Sequence, residues 1–313
     1  MPRSLVIGVN GQDGSYLAES LLRRGYDVVG VGRDDASRYV KAREGFSYEK
    51  LDIRDLRALE DLVHSIAPDV AFHFAAIHGA AGFEYERLWC DMMAVNVLSL
   101  HVLLEYARLR GRSARIVYAG SAKMFPTPLV GRIDETTPAR ATCLYSIGKI
   151  ASRDLVMQYR EKHGVAATNL VFFNHDSVRR PAGYFLPTIA CAIARAKEDR
   201  AFKAQVRTLD FWIDWSSAPE LMDLAIDLAE ASDVAEVVMA SGTTRHGRAA
   251  VTQLFARHGL DASHHIVEAL PRSDPGPEFH VGIERLGAVT GRRPQCSLSD
   301  IVDPMVETAT RIA

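Results

Sequence analysis

The chain is short of cysteine, of net charge and of biased sequence, and each shortage removes a class of function. Its four cysteines, Cys90, Cys143, Cys191 and Cys296, are scattered without C-x-x-C spacing. Neither a disulfide framework nor a metal site is expected from them. Lys and Arg number 37 against 39 Asp and Glu, a formal charge of −2, with no basic tail or stripe to track a phosphate backbone. Nucleic acid and membrane surfaces are therefore not expected partners. Uninterrupted apolar runs stop short of membrane-spanning length, and strand-like sequence starts after four residues. No anchor or signal peptide is expected, and the chain reads as soluble and cytoplasmic. Internal repeats and low-complexity tracts are also missing, so the 313 residues are expected to build one large core with a smaller companion.

What is present is an alternation of strand and helix signals. SLVIGV precedes YLAESLLRRG, and YDVVGVG precedes a loop. DVAFHFAA leads into a long helix through MMAVNVLSLHVLLEYARLR, and ARIVYAG leads into LYSIGKIASRDLVMQYREKHG and then VAATNLVFF. This order predicts an α/β fold, a doubly wound parallel sheet covered by helices. Beyond about residue 175 the alternation weakens, which places a Rossmann-type domain over 1–173 and an interleaved, smaller α+β substrate domain over 174–313. VAEVVMASG, near 234–242, reads as a buried strand returning to the main sheet.

Gly8, Gly11 and Gly14 stand at G-x-x-G-x-x-G spacing between the first strand and helix. Such spacing lets the backbone turn tightly and approach a pyrophosphate, while the helix N-terminus offers free N–H groups. A nucleotide cofactor is expected there. Tyr145 and Lys149 lie one helical turn apart on a predicted helix. A lysine ammonium beside a phenol lowers its pKa and makes the phenolate a general base. Ser121 ends the preceding strand, on the side where α/β sheets bind ligands.

With GQDGSYLAE (11–19), FFNHDSVRRP (172–181) and RLGAVTGRRP (285–294), these residues resemble the extended short-chain dehydrogenases/reductases that act on nucleotide sugars, and within them the GDP-mannose 4,6-dehydratases. The resemblance implies a Rossmann domain with a C-terminal substrate domain, and a substrate that is a GDP-hexose or GDP-heptose. It assigns Gly8, Gly11, Gly14, Asp52, Ala75 and Ala76 to the cofactor, together with Tyr145 and Lys149. Arg33, after strand two, suits the 2′-phosphate of NADP, although Asp34 and Asp35 beside it leave NAD open. Asn174, Arg179, Arg180 and Arg272 are candidate substrate contacts, and His175 is expected to be structural. Ser121, Tyr145 and Lys149 are implied as catalytic.

The sequence also departs from this pattern. Where the dehydratases carry a glutamate two residues after the catalytic Ser/Thr, this chain has Lys123, a candidate replacement base, preceded by Ala122. Ser-Ala-x is closer to 4-epimerases, and MFP with IDE nearby resembles GDP-fucose synthase. Ile213 stands where the dehydratases place an arginine before Asp214 and Trp215. Dehydratase, 4-keto reductase, C4 dehydrogenase and epimerase chemistry thus remain open, with a non-catalytic nucleotide binder as the outside alternative. Apolar faces on the two long helices suggest a homodimer or homotetramer.

Overall fold

The computed structural model describes residues 1–79, 82–231, 233–271 and 274–312. Its strands are β1 (Arg3–Ile7), β2 (Asp27–Gly32), β3 (Phe46–Lys50), β4 (Val70–His73), β5 (Arg115–Ser121), β6 (Gly131–Ile133), β7 (Ala166–Phe172), β8 (Asn174–Asp176), β9 (Ala204–Val206), β10 (Trp212–Ser217), β11 (Glu236–Met239), β12 (Thr244–His246), β13 (Ile266–Glu268) and β14 (Phe279–Val281). Seven of them form a parallel sheet in the order β11-β7-β5-β4-β1-β2-β3. Chain order reverses beside β1, and at such a switch point the strand C-termini leave a crevice. Gly8, Ala75 and Ser121 all follow or end strands on that edge.

Successive residues of a strand face opposite sides of a sheet, so each strand feeds two cores. Val6 and Val117 join the layer with Leu17 and Leu21 of α1 (Gln12–Arg23). Leu5, Ile7, Ile116 and Tyr118 join the other, with Leu59 and Val63 of α2 (Leu56–Ile66). The second layer is completed by α3 (Trp89–Met93), a π-helical turn at Ala94–Leu98, α4 (Ser99–Arg110) and α5 (Leu144–His163). Each fully buried Leu or Ile contributes about 1.5–3 kcal/mol of transfer free energy, which makes these two layers the main support of the sheet edge.

One expectation needs correction. The segment after β2 is not all loop, because FSYEK forms β3 at the sheet edge. Its burial is partial, so it lacks the apolar run of an inner strand. By mean hydropathy, 1.4 in its best window, the 25-residue helical run Glu86–Arg110 is long and apolar enough to cross a membrane. It is instead packed into the second layer, with Leu100, Leu103, Leu104 and Ala107 buried.

A third core lies apart from the sheet. It joins α6 (Phe185–Glu198), α8 (Gly247–Arg257) and the helix Leu298–Ile312, with Trp215 of β10 among them. β10 pairs with β8 and β12 in a small separate sheet, while β11, which follows α7 (Ala218–Ala231), is the edge strand of the large one. The chain therefore crosses between the two bodies more than once.

Candidate active site

The glycine turn is built so that the backbone itself is the surface. Gly8 has φ of +92°, and a Cβ there would stand 2.7 Å from the Ala75 nitrogen. A Cβ on Gly14 would stand 2.3 Å from the Gly8 carbonyl oxygen. Gly11 is the N-cap of α1 with ordinary extended geometry and no side-chain cap, so the first N–H groups of α1 have no helical partner. This cradle of bare backbone at a helix N-terminus fits a dinucleotide pyrophosphate. Ala75 lies against Gly8, and Ala76 follows it on the exposed rim.

Around the far end of the cradle the acids are already paired. Asp34 accepts from Asn10 (2.9 Å) and Arg38 (3.1 Å), and Asp35 pairs with Lys50 at 2.5 Å. Arg33 is exposed and has no ion pair among the described residues. Asp52 is clasped by Arg54, whose other end reaches Asp91 at 2.9 Å. Hydrogen bonds from Arg54 hold the Asp52 carboxyl below the usual range, with Arg33 adding to the attraction.

Ser121, Tyr145 and Lys149 come together at the end of β5 and the start of α5. Tyr145 is buried near Ser121, whose side chain accepts the Lys123 N–H at 3.2 Å. The sequence-based pKa expectation does not hold. Burial, then the neighbouring Tyr118, pushes the Tyr145 phenol up, with Ser121 opposing. Burial likewise pushes Lys149 down to about 7. Its ammonium is spent on the Ala119 carbonyl (2.6 Å) and Tyr118 Oη (3.0 Å), with Nζ 5.6 Å from the Tyr145 ring centre. Behind it, Tyr118 and Ser152 both donate to the Asn96 carbonyl at 2.8 Å. Lys123 itself is exposed beside the opening.

The two motifs of the resemblance pack on each other. Gln12 donates to the His175 carbonyl (3.2 Å) and accepts from Ser177 (2.9 Å). His175 is structural, with Nδ1 on the Phe173 carbonyl (2.7 Å) and Nε2 on Asp13 (3.0 Å). Burial opposes charge on both partners, but mutual attraction outweighs it, raising His175 and lowering Asp13. Arg179 is not offered to a substrate. It binds Ser15 (3.0 Å) and Glu19 (2.6 Å) and lies over the rings of Tyr16 and Tyr39. Arg180 pairs with Asp176 at 3.1 Å and covers the Tyr184 ring at 3.9 Å, nearer the opening. Asn174 is exposed at the start of β8. Arg272 lies outside the described residues.

Sequence reasoning selected neither Arg245 nor His78. Arg245 of β12 is the cross-strand partner of Ile213, the position where the dehydratases place an arginine. His78, after β4, has its ring 5.0 Å from that of Tyr145 and 6.2 Å, stacked, from that of Tyr184. His78 is exposed, with its ring set against those of Tyr145 and Tyr184. Desolvation by these neighbours, then the positive charges of Arg180, Lys149, Lys123 and His175, push it down to about 4. Tyr85 stacks on Tyr145 from another side at 5.7 Å.

A parallel Rossmann-like sheet with a glycine cradle on β1 and a Ser–Tyr–Lys group on β5 and α5 defines an extended short-chain dehydrogenase/reductase. More narrowly, the chain belongs to the GDP-mannose 4,6-dehydratase family, whose family model matches residues 5–283. It is 27% identical over 332 aligned residues to the GDP-mannose 4,6-dehydratase sdnI of Sordaria araneosa, spanning 97% of this chain but 60% of that protein. It is 28% identical over 304 residues to a GDP-mannose 4,6-dehydratase of Vibrio cholerae, covering 90% of this chain and 80% of the relative. In fold it is similar to RMD from Pseudomonas aeruginosa complexed with NADPH (TM-score 0.80, 18% identity, the whole of both chains). It is also similar to the UDP-glucose 4-epimerase of Thermotoga maritima with UDP-glucose (TM-score 0.82, 17% identity, 99% of both chains).

Proposed function

We propose that this protein oxidises C4 of a GDP-linked hexose or heptose. The observation that carries the reading is the convergence of buried Tyr145 and Lys149 with Ser121 at the end of β5 and the start of α5, on the same sheet edge as the glycine cradle. Gly8, Gly11, Gly14, Ala75, Ala76 and Asp52 would hold the dinucleotide, and the nicotinamide, when bound, supplies the hydride acceptor. Ser121 and Tyr145 hold the C4 oxygen between them. In its phenolate form Tyr145 would take that proton as the carbonyl forms, and as the phenol return it in the reverse direction. Lys149, fixed by Ala119 and Tyr118, holds positive charge near that exchange when protonated.

NADP is the favoured cofactor, because Arg33 is unpaired among the described residues while Asp34 and Asp35 are neutralised by Arg38 and Lys50. Asn174, Arg180, Arg245 and Arg272 are assigned to the substrate side. Leu98 and Ile147, both more than 40% exposed on neighbouring helices, support a homodimer or homotetramer. Lys123 occupies the place of the family glutamate, and this favours a second reading as a 4-keto reductase, C4 dehydrogenase or epimerase. Incubation with GDP-mannose and GDP-manno-heptose plus NADP or NAD separates these readings. Loss of one water mass without net reduction of cofactor supports a dehydratase. Accumulating reduced cofactor, or turnover only of a supplied 4-keto sugar, replaces it with a dehydrogenase or a reductase. Cofactor binding without any hydride transfer would mark a non-catalytic nucleotide binder.

A further inference from the structure

We propose that His78, held by Tyr184, is a second proton-transfer residue of this site, acting on the carbon next to the one that Ser121 and Tyr145 address. The inference rests on the C4-oxidation reading and deepens it. The chain has no carboxylate at Lys123, and Lys123 is exposed, with nothing among the described residues fixing its side chain. His78, also exposed, is fixed on two sides. Its ring lies 5.0 Å from the Tyr145 ring, and its Nδ1 lies 3.3 Å from Tyr184 Oη. Tyr184 is held in turn by the Arg180 guanidinium, 3.9 Å above its ring and paired with Asp176. In the tautomer whose Nδ1–H donates to Tyr184 Oη, the lone pair of Nε2 is left for the substrate. The surroundings keep the imidazole neutral, with a basicity close to that of a carboxylate. It can therefore take the role that an acidic side chain fills elsewhere.

The step balances without a further reactant. Once C4 is a ketone, the C–H bond on the adjacent carbon breaks, and its proton passes to Nε2. The electron pair forms a carbon–carbon double bond to C4, and the charge moves onto the C4 oxygen, which Tyr145 and Ser121 hold. Return of a proton to that carbon, on either face, restores the ketone. Dehydration and epimerisation next to a ketone both need this step, whereas simple reduction at C4 does not.

The test is solvent deuterium exchange, run with GDP-mannose plus NADP and, separately, with GDP-4-keto-6-deoxymannose, which needs no prior hydride step. The parent protein is expected to place deuterium on the carbon beside C4 in both. His78→Phe, which keeps a ring against Tyr145 but removes the nitrogens, is expected to lose this exchange by about 100-fold or more. Its transient cofactor reduction should fall by much less, and Tyr184→Phe should lower the exchange in the same selective way. Exchange at the parental rate in His78→Phe overturns the proposal, as does exchange that survives in His78→Phe and vanishes in Lys123→Met. Absence of cofactor reduction by the parent, with exchange on the keto sugar intact and dependent on His78, would instead overturn the C4-oxidation reading and keep His78.

Discussion

The three glycines of the β1–α1 turn should separate into two kinds when each is replaced by alanine. Gly14→Ala puts a Cβ 2.3 Å from the Gly8 carbonyl oxygen and 2.7 Å from its carbon, both backbone atoms that have no rotamer to change. Overpacking of this kind costs about 1–3 kcal/mol or somewhat more. Gly8→Ala meets Ala75 backbone at 2.7 and 2.9 Å and must also hold φ at +92°, which adds about 1–2 kcal/mol for a residue with a Cβ. At about 2–4 °C per kcal/mol for a chain of this class, Gly14→Ala should melt roughly 2–12 °C and Gly8→Ala roughly 4–20 °C below the parent. Gly11→Ala differs, because its φ of −81° and ψ of 170° suit any residue and its nearest neighbour is the Gly8 oxygen at 3.2 Å. Its melting temperature should stay within about 2 °C of the parent, an effect of about 1 kcal/mol or less. Yet the added methyl stands at the cap of α1, where the pyrophosphate would approach, so affinity for NADP should fall by about tenfold or more. Thermal melts with and without NADP, with a titration of each variant, give the comparison. Equal stability of all three variants, or undiminished NADP affinity in Gly11→Ala, would refute this reasoning.

Arg33→Ser should weaken NADP binding by about tenfold or more, the value of one charged hydrogen bond, and leave NAD affinity nearly unchanged; equal losses for both would remove Arg33 from the 2′-phosphate. The Asp13–His175 pair should stabilise fully between the ordinary aspartate and histidine pKa values. The Asp13 share, with its folded pKa lowered, is lost as pH falls through that value, and the His175 share, with its folded pKa raised, is lost as pH rises through that one. Asp13→Asn should therefore lower the melting temperature most near pH 5–6 and progressively less in alkali. Lys149 runs the other way, because a lysine depressed to about 7 costs stability below its ordinary pKa and ceases to do so as pH rises. Lys149→Met should be inactive and melt above the parent at neutral pH, with the advantage shrinking towards about pH 10.

The parts of the site legible in the sequence are those whose spacing is local. Gly8, Gly11 and Gly14 fall within one turn, Tyr145 and Lys149 within one helical turn, and Ser121 closes an apolar strand. What was not legible depends on partners far apart in the chain. His78 sits in a loop without periodicity, and its neighbours Tyr145 and Tyr184 come from α5 and from the residue preceding α6. Arg179 carried no sign of its engagement because Glu19 lies 160 residues away. The same holds for Glu135 of the IDE segment, which accepts from the Val238 N–H at 2.8 Å and so fastens β11. The pKa of Tyr145 was misjudged because spacing on a helix says nothing of burial, and burial decides it here. β3 escaped for the opposite reason, since an edge strand has little burial to leave a pattern.

The most direct test of the account is rapid-mixing absorbance of the nicotinamide after the NADP-loaded protein meets GDP-mannose, repeated with deuterium at C4 of the sugar. A transient of reduced cofactor is expected, slowed in its appearance by the deuterium and abolished in Tyr145→Phe. A protein that binds both NADP and GDP-mannose yet gives no such transient, or one indifferent to deuterium at C4, would contradict it.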